Sequence, residues 1–181
     1  MLENKVLIWK LKRGNRDALR VLYEKYKDSL RTIAGSMLHD RDAAEDILHD
    51  VFVSFAENAR RLQIRTNLKH YLTSCVVNRV RDEYRRKQKK QVIGLDDAQP
   101  VSADSKRPES RLIDDEKARL LTAALAEIPF EQREAIVLHL KAGFKFGQIA
   151  LMQQTSISTV HGRYKYGLKK LHTILDGELE K

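Results

Sequence analysis

Along most of this chain apolar residues recur at spacings of three and four, the period of a helix with one buried face. A short helix is expected over residues 3–12, ended by Gly14, a residue suited to a left-handed cap. A second begins near Asp17 and sets Leu19, Leu22, Tyr23, Tyr26, Leu30, Ile33, Ala34 and Met37 on one stripe. Asp40 or Asp42 caps a third that runs to Glu57, with Ile47, Leu48, Val51, Phe52 and Phe55 inward. A fourth spans about 66–89 and turns Leu68, Leu72, Cys75, Val76 and Val80 inward. Near the end, a short helix, a polar turn and a longer helix run from Phe146 to Leu175. Ser156 is the expected cap of the last helix, and Ile157, Val160, Tyr164, Leu168 and Leu171 are its expected inner stripe.

Between these blocks the periodicity fails. From Gln91 to Asp115 two prolines, Pro100 and Pro108, interrupt any helix, and six acids outnumber three cations. The expected architecture is therefore all-α: two small helical domains, 1–90 and 116–181, joined by a flexible acidic linker over 91–115. The second domain is expected to be a helix-turn-helix. Eight glycines and three prolines in 181 residues agree with a helical chain.

Charge adds a direction. The formal net charge of +9 favours a polyanionic partner. It is also uneven: Asp42, Glu45, Asp46 and Asp50 gather on the third helix, whereas no acid interrupts residues 58–81, which carry Arg60, Arg61, Arg65, Lys69, Arg79 and Arg81. A second acid-free stretch follows Glu134 and includes Lys141, Lys145, Arg163, Lys165, Lys169 and Lys170. Cations on a helix-turn-helix suit DNA phosphates, and one helix end then meets base edges in the major groove. Tyr71 and Tyr84 have the chemistry to stack on unpaired bases, although helical aromatics more often pack internally.

Other chemistries find little support. Asp46 and His49 form one carboxylate-x-x-His pair where a di-metal bundle needs two, and no Cys/His spacing suits zinc. The single Cys75 cannot form an internal disulfide and is expected to be a buried, inert thiol. There is no Gly-rich phosphate loop, so neither an enzyme nor a cofactor is implied. No apolar run reaches membrane-spanning length and the N-terminus lacks a signal-peptide pattern, which points to the cytoplasm without membrane insertion.

Three segments carry a family resemblance. Asp42-Ala-Ala-Glu-Asp-Ile-Leu-His-Asp-Val-Phe-Val-Ser-Phe55 resembles the helix with which bacterial sigma factors bind RNA polymerase. Tyr71-Leu-Thr-Ser-Cys-Val-Val-Asn-Arg-Val-Arg-Asp-Glu-Tyr-Arg-Arg86 resembles their promoter-melting helix. Leu125-Ala-Glu-Ile-Pro-Phe-Glu-Gln-Arg-Glu-Ala-Ile-Val137 resembles the helix that opens their second DNA-binding domain. Their order and the intervening linker suggest the two-domain, extracytoplasmic-function type of the sigma-70 family.

That resemblance implies roles. Asp46, Asp50, Val51, Phe52 and Phe55 would meet the polymerase. Arg60, Arg61, Asn67, Lys69, Tyr71, Asn78, Arg79, Arg81, Asp82, Arg85 and Arg86 would hold the non-template strand of the minus-ten element, with a flipped base near Asn67 to Tyr71. Extruding that base costs a few kcal/mol, offset by binding the single strand, and the resemblance implies opening without ATP hydrolysis. The linker would lie in the polymerase cleft. Ser156, Ser158, Thr159, His161, Arg163, Lys165, Tyr166 and Lys169 would read the minus-thirty-five element. Implied partners are core RNA polymerase, promoter DNA and an anti-sigma factor. Three departures accompany the match: the turn at Gln153-Gln154-Thr155 lacks the usual glycine, Gly162 and Gly167 soften the last helix, and Tyr71 stands where many members of the family carry Trp. A stand-alone helix-turn-helix regulator is the alternative, but it leaves the acidic third helix unexplained.

Overall fold

The computed structural model describes residues 2–64, 67–92 and 112–179, and their regular structure is helical throughout. The helices are α1 (Leu2–Lys12), α2 (Arg16–Leu38), α3 (Arg41–Glu57), α4 (Leu68–Val92), α5 (Leu112–Ala126), α6 (Phe130–Leu140), α7 (Phe146–Gln153) and α8 (Ile157–Leu179), with a short 3-10 turn at Ala59–Arg61.

The boundaries have local causes. Gly14, at φ +82°, ends the α1 turn and its amide bonds the Leu11 carbonyl at 2.8 Å. Asn15 caps α2, its side chain accepting the Ala18 amide at 2.9 Å. Of the two expected caps of α3, Asp40 takes the role: its Oδ1 accepts the Ala43 amide at 2.9 Å, and Asp42 sits in the first turn beside the helix dipole.

α2 is the central element of the first half. Leu22, Leu30, Ile33 and Met37 are buried against α3, whose Leu48, Val51, Phe52 and Phe55 close the other side. On α4 the buried stripe is Leu68, Leu72, Val76, Val77 and Val80. Val77 takes a fully buried place and Cys75 moves to the margin, half-buried beside Tyr71, because the stripe lies one position further round than the expected set. Burial pushes the Cys75 thiol up, so it stays protonated and unreactive.

In the second half, Pro129 opens α6, where its missing amide costs nothing. The α7–α8 turn forms without glycine because Gln154 takes the left-handed conformation, φ +51°, and the Thr155 amide bonds the Ala150 carbonyl. Ser156 caps α8 through a 3.0 Å bond from the Thr159 amide. Val160 and Leu171 are buried and Tyr164 and Leu168 pack partly, as expected. Ile157 is not: it is 59% exposed, since the first residue of α8 lies ahead of the packed stripe. Gly167 also has a different role from that of a soft spot. A methyl group there would lie 2.9 Å from Ile136 Cδ1 and 3.1 Å from Gln132 Cβ, so its absence permits close approach of α6 and α8.

The expected linker is shorter than the pattern suggests, because α4 runs on to Val92 and α5 begins at Leu112. Residues 93–111, and the cleft path implied for them, lie outside the described residues. The two halves share one apolar core: Phe130, Leu138 and Phe144 join Leu30, Met37 and Leu72. Each such fully buried side chain contributes roughly 1.5–3 kcal/mol. Tyr84 stacks on Phe130 at 4.2 Å and His70 on Phe144 at 4.3 Å.

Candidate nucleic-acid interface

On the outer side of α4, Asn78, Arg79, Asp82, Arg85 and Arg86 are exposed at spacings that keep them on adjoining rows of one face. Some of this charge is steered by neighbours. Glu83 receives two 2.9 Å bonds from Arg86, and Asp82 lies 3.8 Å from Arg85. Arg60 and Arg61 project from the 3-10 turn, and Asn67 caps the start of α4 by accepting the Lys69 amide at 2.9 Å. Tyr71 is half-buried against Phe55, centroids 6.2 Å apart, and lines a cavity of about 210 Å³ with Asn58, Cys75 and Arg79.

Asp46 and Asp50 are fully on the outside of α3, with Glu45 and the exposed apolar Val53. Val51, Phe52 and Phe55 are buried, because α2 and α4 take up that side of the helix. They hold α3 in place and do not form part of its outer face. Phe52 meets Tyr23 edge-on at 5.0 Å. At the junction of α2 and α3, Lys87 bonds Asp40 at 2.6 Å. Burial works to raise the Asp40 carboxyl, but the bonds from Lys87 and the Ala43 amide outweigh it and hold it below the usual carboxylate range.

On α8, Ser156, Ser158, Thr159, His161, Lys165, Tyr166 and Lys169 are exposed. Arg163 departs from this group. It is half-buried and donates to Gln153 Oε1 at 2.7 Å. Arg81 likewise leaves the open face of α4: its Nε donates to Glu134 Oε1 at 2.7 Å and its Nη1 to the Met152 carbonyl. Gln153 completes the chain by donating to Glu134 Oε2 at 2.8 Å. Arg81, Glu134, Gln153 and Arg163 thus form a continuous clasp on a cleft of about 570 Å³ between the halves.

Arg133, next to this clasp, is buried and donates to the carbonyls of Met37, Ala126 and Ile128. Its cation therefore meets the last carbonyls of α2, where the helix dipole favours positive charge. The pattern hint to these fastenings was the charged pair Arg133-Glu134 directly before the apolar run Ala135 to Leu138.

The segment holding α2, α3 and α4 matches a family model. Residues 22–90 fit Sigma-70 region 2. EcfG of Rhodopseudomonas palustris, an ECF RNA polymerase sigma factor, is 27% identical over 147 residues, covering 81% of this chain and 79% of that protein. The chain belongs to the sigma-70 family, in its extracytoplasmic-function (ECF) group. The RNA polymerase sigma factor CarQ of Myxococcus xanthus is similar over still more of this sigma-70 family chain: 28% identical over 170 residues, 92% of it and 94% of CarQ. The fold is also that of the sigma factor RpoE solved in complex with the anti-sigma factor NepR from Bartonella quintana, with a TM-score of 0.69 and 22% identity over 87% of this chain and 96% of that one. In this ECF family member the acidic face of α3 and the basic face of α4 both fall within the region 2 match.

Proposed function

We propose that the protein is a transcription initiation factor that joins core RNA polymerase in the cytoplasm and carries it to promoters. The observation that carries this reading is the opposition of charge on neighbouring helices: exposed acids on α3, exposed arginines on α4. DNA is repelled from the first face and attracted to the second, so one small unit offers separate surfaces to a basic protein and to a nucleic acid.

In this reading residues 1–90 form the unit that binds polymerase and opens the minus-ten element, 91–115 the linker, and 116–181 the unit that reads the minus-thirty-five element. Asp46 and Asp50, with Val53, form the polymerase contact. Asn78, Arg79, Asp82, Arg85 and Arg86 track the unpaired strand together with Arg60, Arg61, Asn67 and Lys69, and the cavity at Tyr71 takes the flipped base. The exposed side chains of α8 enter the major groove. Arg81 and Arg163 reach DNA only by leaving Glu134 and Gln153. An anti-sigma factor is the expected inhibitor, as the RpoE relative is bound to one. The protein itself performs no catalytic step.

The test is reconstitution with sigma-free core polymerase. The native protein is expected to co-elute with core on gel filtration. Asp50→Arg should bind at least roughly tenfold more weakly, since a like charge placed against a basic face costs affinity, while its melting temperature stays unchanged because Asp50 is exposed. A native chain that elutes apart from core overturns the reading.

A further inference from the structure

The chain has a single tryptophan, and it lies on the surface. Trp9 is 53% exposed on α1 and lines a groove of about 380 Å³ with Ile8, Leu62 and Ile64 as apolar walls and Lys5 and Lys12 beside them. Arg13 covers the indole, its guanidinium carbon 3.9 Å from the ring centroid, which orders the ring. Among the described residues no acid lines the groove, and Glu3, the acid of α1, is paired with Lys25 at 2.6 Å. The exposed Arg60 and Arg61 directly precede Leu62, so the groove continues the surface proposed above for the unpaired strand.

We infer that this groove binds single-stranded DNA, one unpaired base stacking on Trp9 and its flanking phosphates meeting Lys5 and Lys12. The inference rests on the proposed reading of the adjoining α4 surface as a single-strand binder. With Arg13 on one face of the indole, the base would take the other. An exposed aromatic ring among cations is what non-specific single-strand sites are built from, because every base has a face to stack and every linkage a negative charge. Paired bases in a duplex are already stacked and have no face to offer. An acidic peptide would satisfy the lysines yet leave the indole and the apolar walls unused. One nucleotide-sized groove beside a longer basic surface therefore extends the path of the strand beyond the Tyr71 cavity.

Because Trp9 is the sole tryptophan, its emission reports on this site alone. The full-length protein is titrated with a short oligothymidylate labelled with fluorescein at its far end, following anisotropy and tryptophan emission together. The expected result is quenching with the same midpoint as the anisotropy rise, and no quenching by a duplex of equal length. Trp9→Ala should weaken oligonucleotide binding roughly fivefold or more, with Trp9→Phe retaining most of the affinity. Replacing Lys5 and Lys12 by Gln should lower the salt-dependence slope by roughly 0.7 for each phosphate that is no longer neutralised. Binding without quenching, no binding at all, or equal quenching by an oligoglutamate peptide overturns the inference. Promoter-directed transcription with core polymerase judges the underlying reading separately, so active transcription with a silent Trp9 removes this site only.

Discussion

Arg81 of α4 and Glu134 of α6 meet at 2.7 Å across the junction of the two halves, the glutamate side chain 2% exposed and the arginine 15%. Fifty-three positions separate them in the chain. Their geometry is reinforced on both sides, by the Met152 carbonyl on Arg81 and by Gln153 on Glu134.

Breaking such a pair from one side strands a buried charge. Glu134→Ala should lower unfolding free energy by about 3–5 kcal/mol, read from urea titration. Replacing both partners, Arg81→Met with Glu134→Leu, should recover much of that loss, because no unpaired charge remains. Additive losses in the double variant would show that the two side chains act independently.

The two glycines of α8 should respond in opposite directions to the same change. Gly162 has open space where a methyl group would go, so Gly162→Ala should stabilise by about 1 kcal/mol through helix propensity. Gly167→Ala must push Ile136 and Gln132 aside and should destabilise. Thermal melts of the two variants side by side check this, and a rise in both would mean that α6 and α8 are not in close contact at Gly167.

Acid should loosen the molecule through His39. This residue closes α2 at φ +55°, and neither ring nitrogen finds a hydrogen-bond partner among the described residues. Burial first, and the Arg133 charge second, push its pKa from 6.5 down to about 4. Between those values the unfolded chain holds a proton that the folded chain refuses, so stability is complete above 6.5 and is lost as pH falls towards 4. The slope is at most about 1.4 kcal/mol per pH unit, less for solvent screening of the exposed part of the ring. Asn tolerates the left-handed backbone, so His39→Asn should fold and show a shallower fall in urea midpoint across that window. Equal slopes for the two proteins would remove His39 as the cause.

Local patterns made most of the helical framework legible. Asp40 before an apolar-periodic run and Ser156 before another announced their helices because capping is a short-range interaction. The stripe on α2 was readable for the same reason, since one face of a long helix meets one core. What the pattern did not contain was the partner of each charge. Arg81 and Arg163 look like their exposed basic neighbours until the fold brings Glu134 and Gln153 to them. Val51, Phe52 and Phe55 read as core from their spacing on the third helix, and the packing of α2 and α4 around α3 upholds that against the polymerase contact implied by the family resemblance. Gly167 was legible as a helix weakness but not as a point of close approach, which depends on α6, far back along the chain.

The most direct test of the central claim is run-off transcription from fragmented genomic DNA of the source organism, with sigma-free core polymerase in the presence and absence of this protein. Discrete new transcripts that depend on the protein, and that fade with Asp50→Arg, are the expected result. Binding of the protein to duplex DNA with no protein-dependent transcript would contradict the account and leave a stand-alone regulator in its place.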